Sequence, residues 1–450
     1  MRTLWRAGRL LVPALLATLA LLGALGASAA TINSGDLAPG LQIPAQSRPG
    51  PDFDVERATA AYLALLSPGQ RARSDAYFEG GYAMQLGGLV YGLALAALLL
   101  GSGLSVRMRD LAGRVSARPW LRTWIYAALF LLAYFALALP WSIYEGFVRE
   151  HRYGLATQGF ADWMLDAVKG LAVTLVAVPP ALVAVYAAVR RAGARWWLWA
   201  GAIACVFLVV TMVLFPVYVA PLFNDYKPLR EGPVREAVLS LARANGIPSA
   251  QVVEFDASRQ TTRISANVAG LGATARVALN DNLLDRTSLP EIKAVLGHEM
   301  GHYVLNHAVR LTVYFGLVLT LAFGLTHLAL DAALARLGGR LRLQGRSDPA
   351  ALPLAVAIVS VVLFLATPLM NSIVRQAEAE ADAYGLNAAR EPHGFAMVAM
   401  RLSTYRKIHP AAWEEAVFFD HPSGYTRVRE AMVWLKENPG NPTANAPLPR

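Results

Sequence analysis

The chain has 450 residues, 55 % of them hydrophobic and only 16 % charged, with a formal net charge of +10. Several apolar runs are long enough to cross a bilayer, which takes about 20 residues at a helical rise of 1.5 Å. That excludes a soluble globular protein. The arginines behind the positive charge sit in short loops between apolar runs, so the charge encodes membrane orientation, not nucleic-acid binding. The single cysteine, Cys205, lies within an apolar run, which excludes an intrachain disulfide and a Cys-based zinc site.

In chain order, residues 1–30 carry Arg2, Arg6 and Arg9, an apolar stretch and the small-residue site Ala27-Ser28-Ala29. This reads as a signal peptide or a first membrane span. Residues 31–82 form a polar, Pro-containing extracytoplasmic segment. A four-span membrane region covers 83–217, with runs near 83–103, 121–143, 171–189 and 196–217. A polar block at 218–307 reads as a small α+β domain. In it "REGPVREAVLSLARANG" has helical spacing with a stop at Gly246, and "AQVVEFD" and "ARVALN" read as strands. Two more spans fill 308–374, near 308–330 and 351–374. Residues 375–437 complete the catalytic part, and 438–450 is a Pro- and Asn-rich disordered tail.

Three loops carry arginine clusters: Arg107, Arg109, Arg114 and Arg118; Arg190, Arg191 and Arg195; Arg336, Arg340, Arg342 and Arg346. They alternate so as to share one side, and the positive-inside rule makes that side the cytoplasm. The 144–167 loop, the 218–307 block and the tail then face the periplasm of a bacterial inner membrane.

The segment "SLPEIKAVLGHEMGHYVLNHAV" starts with Ser288 and has Glu291 three residues on, a capping-box pattern with Pro290 in the first turn. His298, His302 and His307 are therefore expected on a helix. His298-Glu299-Met300-Gly301-His302 fits H-E-x-x-H, in which positions i and i+4 bring two imidazoles to one ion. A catalytic zinc takes three protein ligands and keeps a position open for water. Glu299 would stand beside that water as general base.

The candidate third ligand lies in "NSIVRQAEAEADAYGLN". Asn371, Arg375, Glu378 and Asp382 fall on one helix face. Glu378 could bind zinc, and Asp382 could hydrogen-bond a ligating histidine. Glu380 points roughly opposite, toward solvent. Taken alone, an Ala/Glu-rich segment is more often an exposed helix face.

"AVLGHEMGHYVLNHAV", then "N…R..E..AD", then "HPSGYTR" resembles the type-1 CAAX prenyl protease family. "EGFVREHRYGLATQGFADWMLDAVKG" (145–170) and "APLFNDYKPL" (220–229) extend the resemblance over most of the chain. It implies an all-α polytopic membrane protein of six to seven transmembrane helices around a chamber, with a small α+β zinc metallopeptidase domain. It further implies one zinc ion per chain held by His298, His302 and Glu378, with Glu299 as the base. His421 would donate to the oxyanion of the tetrahedral intermediate, and Arg427 would support the substrate or the site. Asp382, Arg375 and Asn371 would act behind the ligands or on substrate. His307 is not counted as a ligand.

The chain departs from the family where Ser265, Ala266 and Asn267 stand for Asn-Ala-Tyr, and where Tyr153-Gly154-Leu155 stands for His-Gly-Phe-Asn. Both changes bear on substrate identity. The expected reaction is peptide-bond hydrolysis by a zinc-activated water, on peptide or protein substrates at a lipid bilayer, without nucleic acid. Processing or quality control of membrane proteins suits the topology. Oligomeric state is open, and a monomer is admissible.

Two other readings compete. A site-2-type intramembrane protease would place H-E-x-x-H inside a span, whereas Glu291, Lys293 and Asn306 flank it here. A scaffold or transporter with a relict site would bind no metal.

Overall fold

The computed structural model describes residues 37–247, 251–269 and 276–441. The expected signal peptide or first span at 1–30 and the tail beyond Asn441 lie outside the described residues.

Helix α1 (Val55–Leu63) opens on Asp54, whose side chain accepts from the Arg57 N–H. In α2 (Pro68–Gly101), Ser67 and Gln70 form a reciprocal capping box and Pro68 takes the first turn. That cap starts the helix well before residue 83, where hydropathy alone would begin it. α3 (Leu104–Val115) lies within the first Arg-rich loop. α4 (Pro119–Ile143) runs on through a π-helical turn at Tyr144–Arg149. α5 (Phe160–Arg191) and α6 (Trp196–Leu214) follow.

The α+β unit comprises β1 (Tyr226–Pro228), α7 (Pro233–Ala244), β2 (Gln251–Phe255), β3 (Ala266–Ala269), β4 (Arg276–Asn280), α8 (Asp281–Arg286) and α9 (Leu289–Val304). α7 stops where expected, with Gly246 at φ +75°. The sheet order is β1-β2-β4-β3, with β2 and β4 parallel and both outer pairs antiparallel. β3 is thus an edge strand.

α10 (His307–Leu341) returns to the membrane, and α11 (Leu352–Leu365) and α12 (Thr367–Ala389) form a pair bent by 54°. α13 (Pro392–Leu402), α14 (Ala412–Phe418) and α15 (Gly424–Glu437) end the fold. Among the described residues five helices are long and apolar enough to cross a membrane, and the bent pair supplies a sixth element. These six pack in a cycle, α2 to α4, α5, α6, α10, α11 and back to α2.

The Arg-rich connections meet at one end. Arg109 pairs with Asp348 at 2.8 Å, and Ser105 donates to the Ala350 carbonyl at 2.8 Å. α9 precedes the opposite end of α10.

Two apolar cores grip α9. Ile292, Leu296 and Met300, one turn apart, join Val238, Val277, Leu279 and Leu283 under the sheet. Ala294 joins a second core of Tyr62, Leu66, Met397, Met400, Val428 and Met432. Within the expected extracytoplasmic segment, α1 packs against α15 and covers the peptidase core. Arg401 fixes this arrangement. It pairs with the buried Glu291 at 2.5 Å and donates to the carbonyls of Leu37, Ala38 and Gly40. At the start of the expected tail, Asn441 is 2 % exposed and donates to the Arg390 carbonyl at 3.0 Å.

Candidate metal centre and active site

The metal-ligating candidates come from two helices that touch almost backbone to backbone. A Cβ on Gly385 of α12 would lie 2.7 Å from the backbone N of His298 in α9, and one on Gly297 would lie 2.9 Å from the Gly385 carbonyl oxygen. Only glycines allow that approach. It brings Glu378 and Asp382 under the two histidines.

The Nε2 atoms of His298 and His302 are 3.0 Å apart, and each lies 3.3 Å from a carboxylate oxygen of Glu378. Zinc with tetrahedral ligands at 2.0–2.1 Å separates its donor atoms by about 3.3 Å. Two imidazole nitrogens and one carboxylate converge at close to that spacing, so the donor set fits the ion. This is the group of His, Asp and Glu side chains that could hold a metal among the described residues.

Behind the donors, each histidine has a partner. His298 Nδ1 lies 2.7 Å from Asp382 Oδ1, which fixes Nε2 as the free ligand atom. Arg427 donates from Nε to Asp382 Oδ2 at 2.7 Å and from its guanidinium to Glu378 Oε2 at 3.2 Å. It thus clamps both carboxylates. Burial disfavours the imidazolium of His298, yet Asp382 and Glu378 outweigh it and push its pKa up to about 10. A metal must therefore displace a proton there, so loading weakens as pH falls.

His302 Nδ1 faces His307 Nδ1 at 2.8 Å. His307 does not sit on α9, as its spacing suggested. Asn306 adopts φ +54°, the left-handed conformation that asparagine tolerates, and breaks the helix so that His307 turns back under His302. Donation from His302 into His307 leaves the His307 Nε2–H directed at Glu380, 3.4 Å away. Glu380 also takes Arg310 at 2.7 Å, so it is half-buried and paired, not solvated as its helix position implied.

Asn371 and Arg375 share the expected face but reach neither the donors nor the cavity. Asn371 donates to the Val417 carbonyl at 2.8 Å, and Arg375 to those of Glu415 (2.7 Å) and Phe419 (2.5 Å). They lie in the first turns of α12, before Glu378 on the same helix, and that part of α12 packs on α14. Their effect is to hold the segment that ends in His421.

His421 Nε2 lies 3.2 Å from Glu378 Oε2, and its Nδ1 bonds Asp420 at 2.7 Å. Sequence reasoning passed over Asp420, although it is the adjacent residue. When Nδ1–H goes to Asp420, Nε2 can donate only in the imidazolium form. Burial raises the Asp420 carboxyl, but His421 and Arg406 hold it below its usual value, so it stays an anion.

Glu299 and His298 line a cavity of about 230 Å³, together with Ser265 and Ala266 on the β3 side and His421 opposite. Ala294, Val295, Phe395, Val398 and Leu402 form its apolar wall. Burial pushes the Glu299 carboxyl up, against the pull of His298 and His302. That moves it toward the range suited to a general base. The 145–170 segment reaches the residues that lead into β3: Ala156 bridges Thr261, and the Leu155 carbonyl accepts from the Thr262 N–H at 3.1 Å.

Comparison with known proteins adds the family. The model described as Peptidase family M48 matches residues 228–435, and that described as CAAX prenyl protease N-terminal, five membrane helices, matches 63–225. The chain belongs to the CAAX prenyl protease-like M48 peptidases. It is similar to an uncharacterized metalloprotease, YhfN, of Bacillus subtilis, at 28 % identity over 386 residues, 84 % of this chain and 89 % of that one. A CAAX prenyl protease 1 homolog of Oryza sativa is 27 % identical over 63 % of this chain and 67 % of its own. CAAX prenyl protease 1 of Saccharomyces cerevisiae is 30 % identical over 42 % of each. The solved structure of S. mikatae Ste24p has a TM-score of 0.68 at 22 % identity, covering 82 % of this chain and 89 % of that one, which establishes a shared fold. This M48 chain is accordingly an integral membrane metalloendopeptidase acting on peptide or protein substrates, and its family implies a metal cofactor.

Proposed function

We propose that this chain is a zinc-dependent endopeptidase holding one zinc through His298, His302 and Glu378. The observation that carries the reading is the convergence of the three donors at 3.0–3.3 Å beside Glu299. A zinc ion held there supplies Lewis acidity, which polarises a peptide carbonyl and lowers the pKa of a water toward about 7.

The protein's own groups do the rest. An extended peptide can pair with the free edge of β3 by main-chain hydrogen bonds, with side chains entering the apolar wall of the cavity. Glu299 takes the proton of the attacking water and delivers it to the leaving amine. His421, oriented by Asp420, donates to the carbonyl oxygen as negative charge develops there. Arg427 and Asp382 keep the ligands in position throughout.

The gathered arginine loops support an orientation with the site on the periplasmic side of a bacterial inner membrane. Cytosolic prenylated proteins would not meet such a site, so the proposed role is processing or clearance of membrane-associated or misfolded envelope proteins. Every residue of the site comes from one chain, so a monomer suffices.

One experiment tests reaction and orientation together. Sealed right-side-out vesicles should cleave an added fluorogenic peptide, stop with 1,10-phenanthroline, and recover with zinc. Sealed inverted vesicles should need detergent. Activity of intact inverted vesicles would reverse the orientation, and no chelator-sensitive cleavage in detergent would remove the peptidase reading.

A further inference from the structure

The cations around the site are almost all committed. Arg427 is held by Asp382 and Glu378, and Lys407 by Glu79 and Glu414. Arg263 bonds Glu150 and Tyr77, and Arg375 is spent on backbone carbonyls.

Arg406 differs. It lines the main cavity with His298, Glu299 and His421, and it also lines the smaller cavity on the far side of His421 with Phe78, Phe419 and Pro422. Among the described residues no side chain or carbonyl forms a hydrogen bond or ion pair with it, and Asp420, already bonded to His421, feels its charge only through space.

A guanidinium in a partly enclosed cleft is matched best by a carboxylate, which it binds in a two-pronged geometry. The apolar wall of Phe395, Val398 and Leu402 lines the same cavity as Arg406 and Glu299. A peptide lying along that wall would bring a group a few residues from the scissile bond onto Arg406.

We propose that Arg406 forms a carboxylate-binding subsite that selects substrates carrying a negative charge a short distance from the bond cut. The proposal rests on the peptidase reading of the same cavity. The carboxylate can be the main-chain terminus of the peptide or the side chain of an Asp or Glu, and the two sources are separable. The bland alternative is that Arg406 merely balances Asp420 and so helps to orient His421. In that role it would affect all substrates alike.

The test compares matched fluorogenic peptides on the purified full-length protein in detergent. One ends in a free acid, one in an amide, and two amidated peptides carry Asp or Asn at successive positions beyond the apolar residue. The wild-type protein should favour a charged member over its neutral match by about tenfold in kcat/KM, the ratio that roughly 1.4 kcal/mol supports. Preference for free acid over amide identifies a terminal carboxylate, and preference for Asp over Asn an internal one.

Arg406→Ala should bring the charged-to-neutral ratio to near one, Arg406→Lys should restore part of it, and Arg406→Glu should invert it. A ratio near one in the wild-type protein overturns the subsite while leaving the peptidase intact. So does an unchanged ratio in Arg406→Ala with both rates lowered equally, the outcome expected of a partner for Asp420. No cleavage of any peptide by zinc-loaded wild-type protein overturns the peptidase reading itself, and the subsite with it.

Discussion

A Glu299→Gln protein is expected to keep its zinc and lose about 10²- to 10⁴-fold in kcat, the range that general-base removal commands. The carboxylate faces the cavity beside His298 and is not one of the three converging donors. An amide of the same shape should therefore leave the ligand cluster intact while removing the proton acceptor. The wild-type acid limb should carry the same signature. Burial pushes the Glu299 carboxyl above its usual value, and a base works only when ionised. Activity should thus fall as pH drops through a pKa higher than that of an ordinary carboxylate, and the variant should lack that inflection. Zinc content, kcat and the pH profile of kcat/KM measured together decide it. Wild-type turnover with full zinc would remove Glu299 from the mechanism.

The second large effect is expected at a residue that touches no metal. Gly385→Val should weaken zinc binding more than tenfold and lower the unfolding temperature. The first added carbon would stand 2.7 Å from the His298 backbone nitrogen and 3.0 Å from the Gly297 carbonyl carbon. These are backbone atoms, so no flexible side chain can yield, and α9 and α12 must move apart. Overpacking of this kind costs about 1–3 kcal/mol. The displacement also falls on the link between His298 and its partners Glu378 and Asp382, where losing a supporting contact typically costs about 10- to 100-fold in metal affinity. Zinc competition titration and thermal unfolding check it. A variant with wild-type values for both would mean that the helix crossing does not set the donor spacing.

The parts of this fold that were legible are those written in local pattern. Apolar runs marked the spans, the Ser288–Glu291 spacing marked the start of α9, and the short segments "AQVVEFD" and "ARVALN" marked the strands at Gln251–Phe255 and Arg276–Asn280. The i, i+7, i+11 spacing put Asn371, Glu378 and Asp382 on one face of α12. It could not say that the first turns of α12 would pack on α14, which takes up Asn371 and Arg375.

His307 was misplaced for a related reason. A single left-handed residue, Asn306, converts a five-residue spacing from the wrong helix face into a contact with His302. Asparagine before a new apolar run was the available signal. The covering of the peptidase core by residues 37–66 had no local signal at all. It depends on Arg401 meeting Glu291 and three carbonyls some 360 residues earlier in the chain. The hydrophobic pattern of α1 is too short to announce its partner. Arg406 was overlooked because nothing in sequence separates a committed arginine from an uncommitted one.

The central claim is that His298, His302 and Glu378 hold one zinc at which peptides are hydrolysed. Metal analysis of the purified full-length protein, set beside Glu378→Ala under the same zinc buffer, tests it most directly. The account predicts one zinc per wild-type chain and a loss of zinc in the variant that parallels the loss of cleavage. A wild-type chain that cleaves peptide without metal, or a Glu378→Ala chain that keeps both its zinc and its activity, would contradict it.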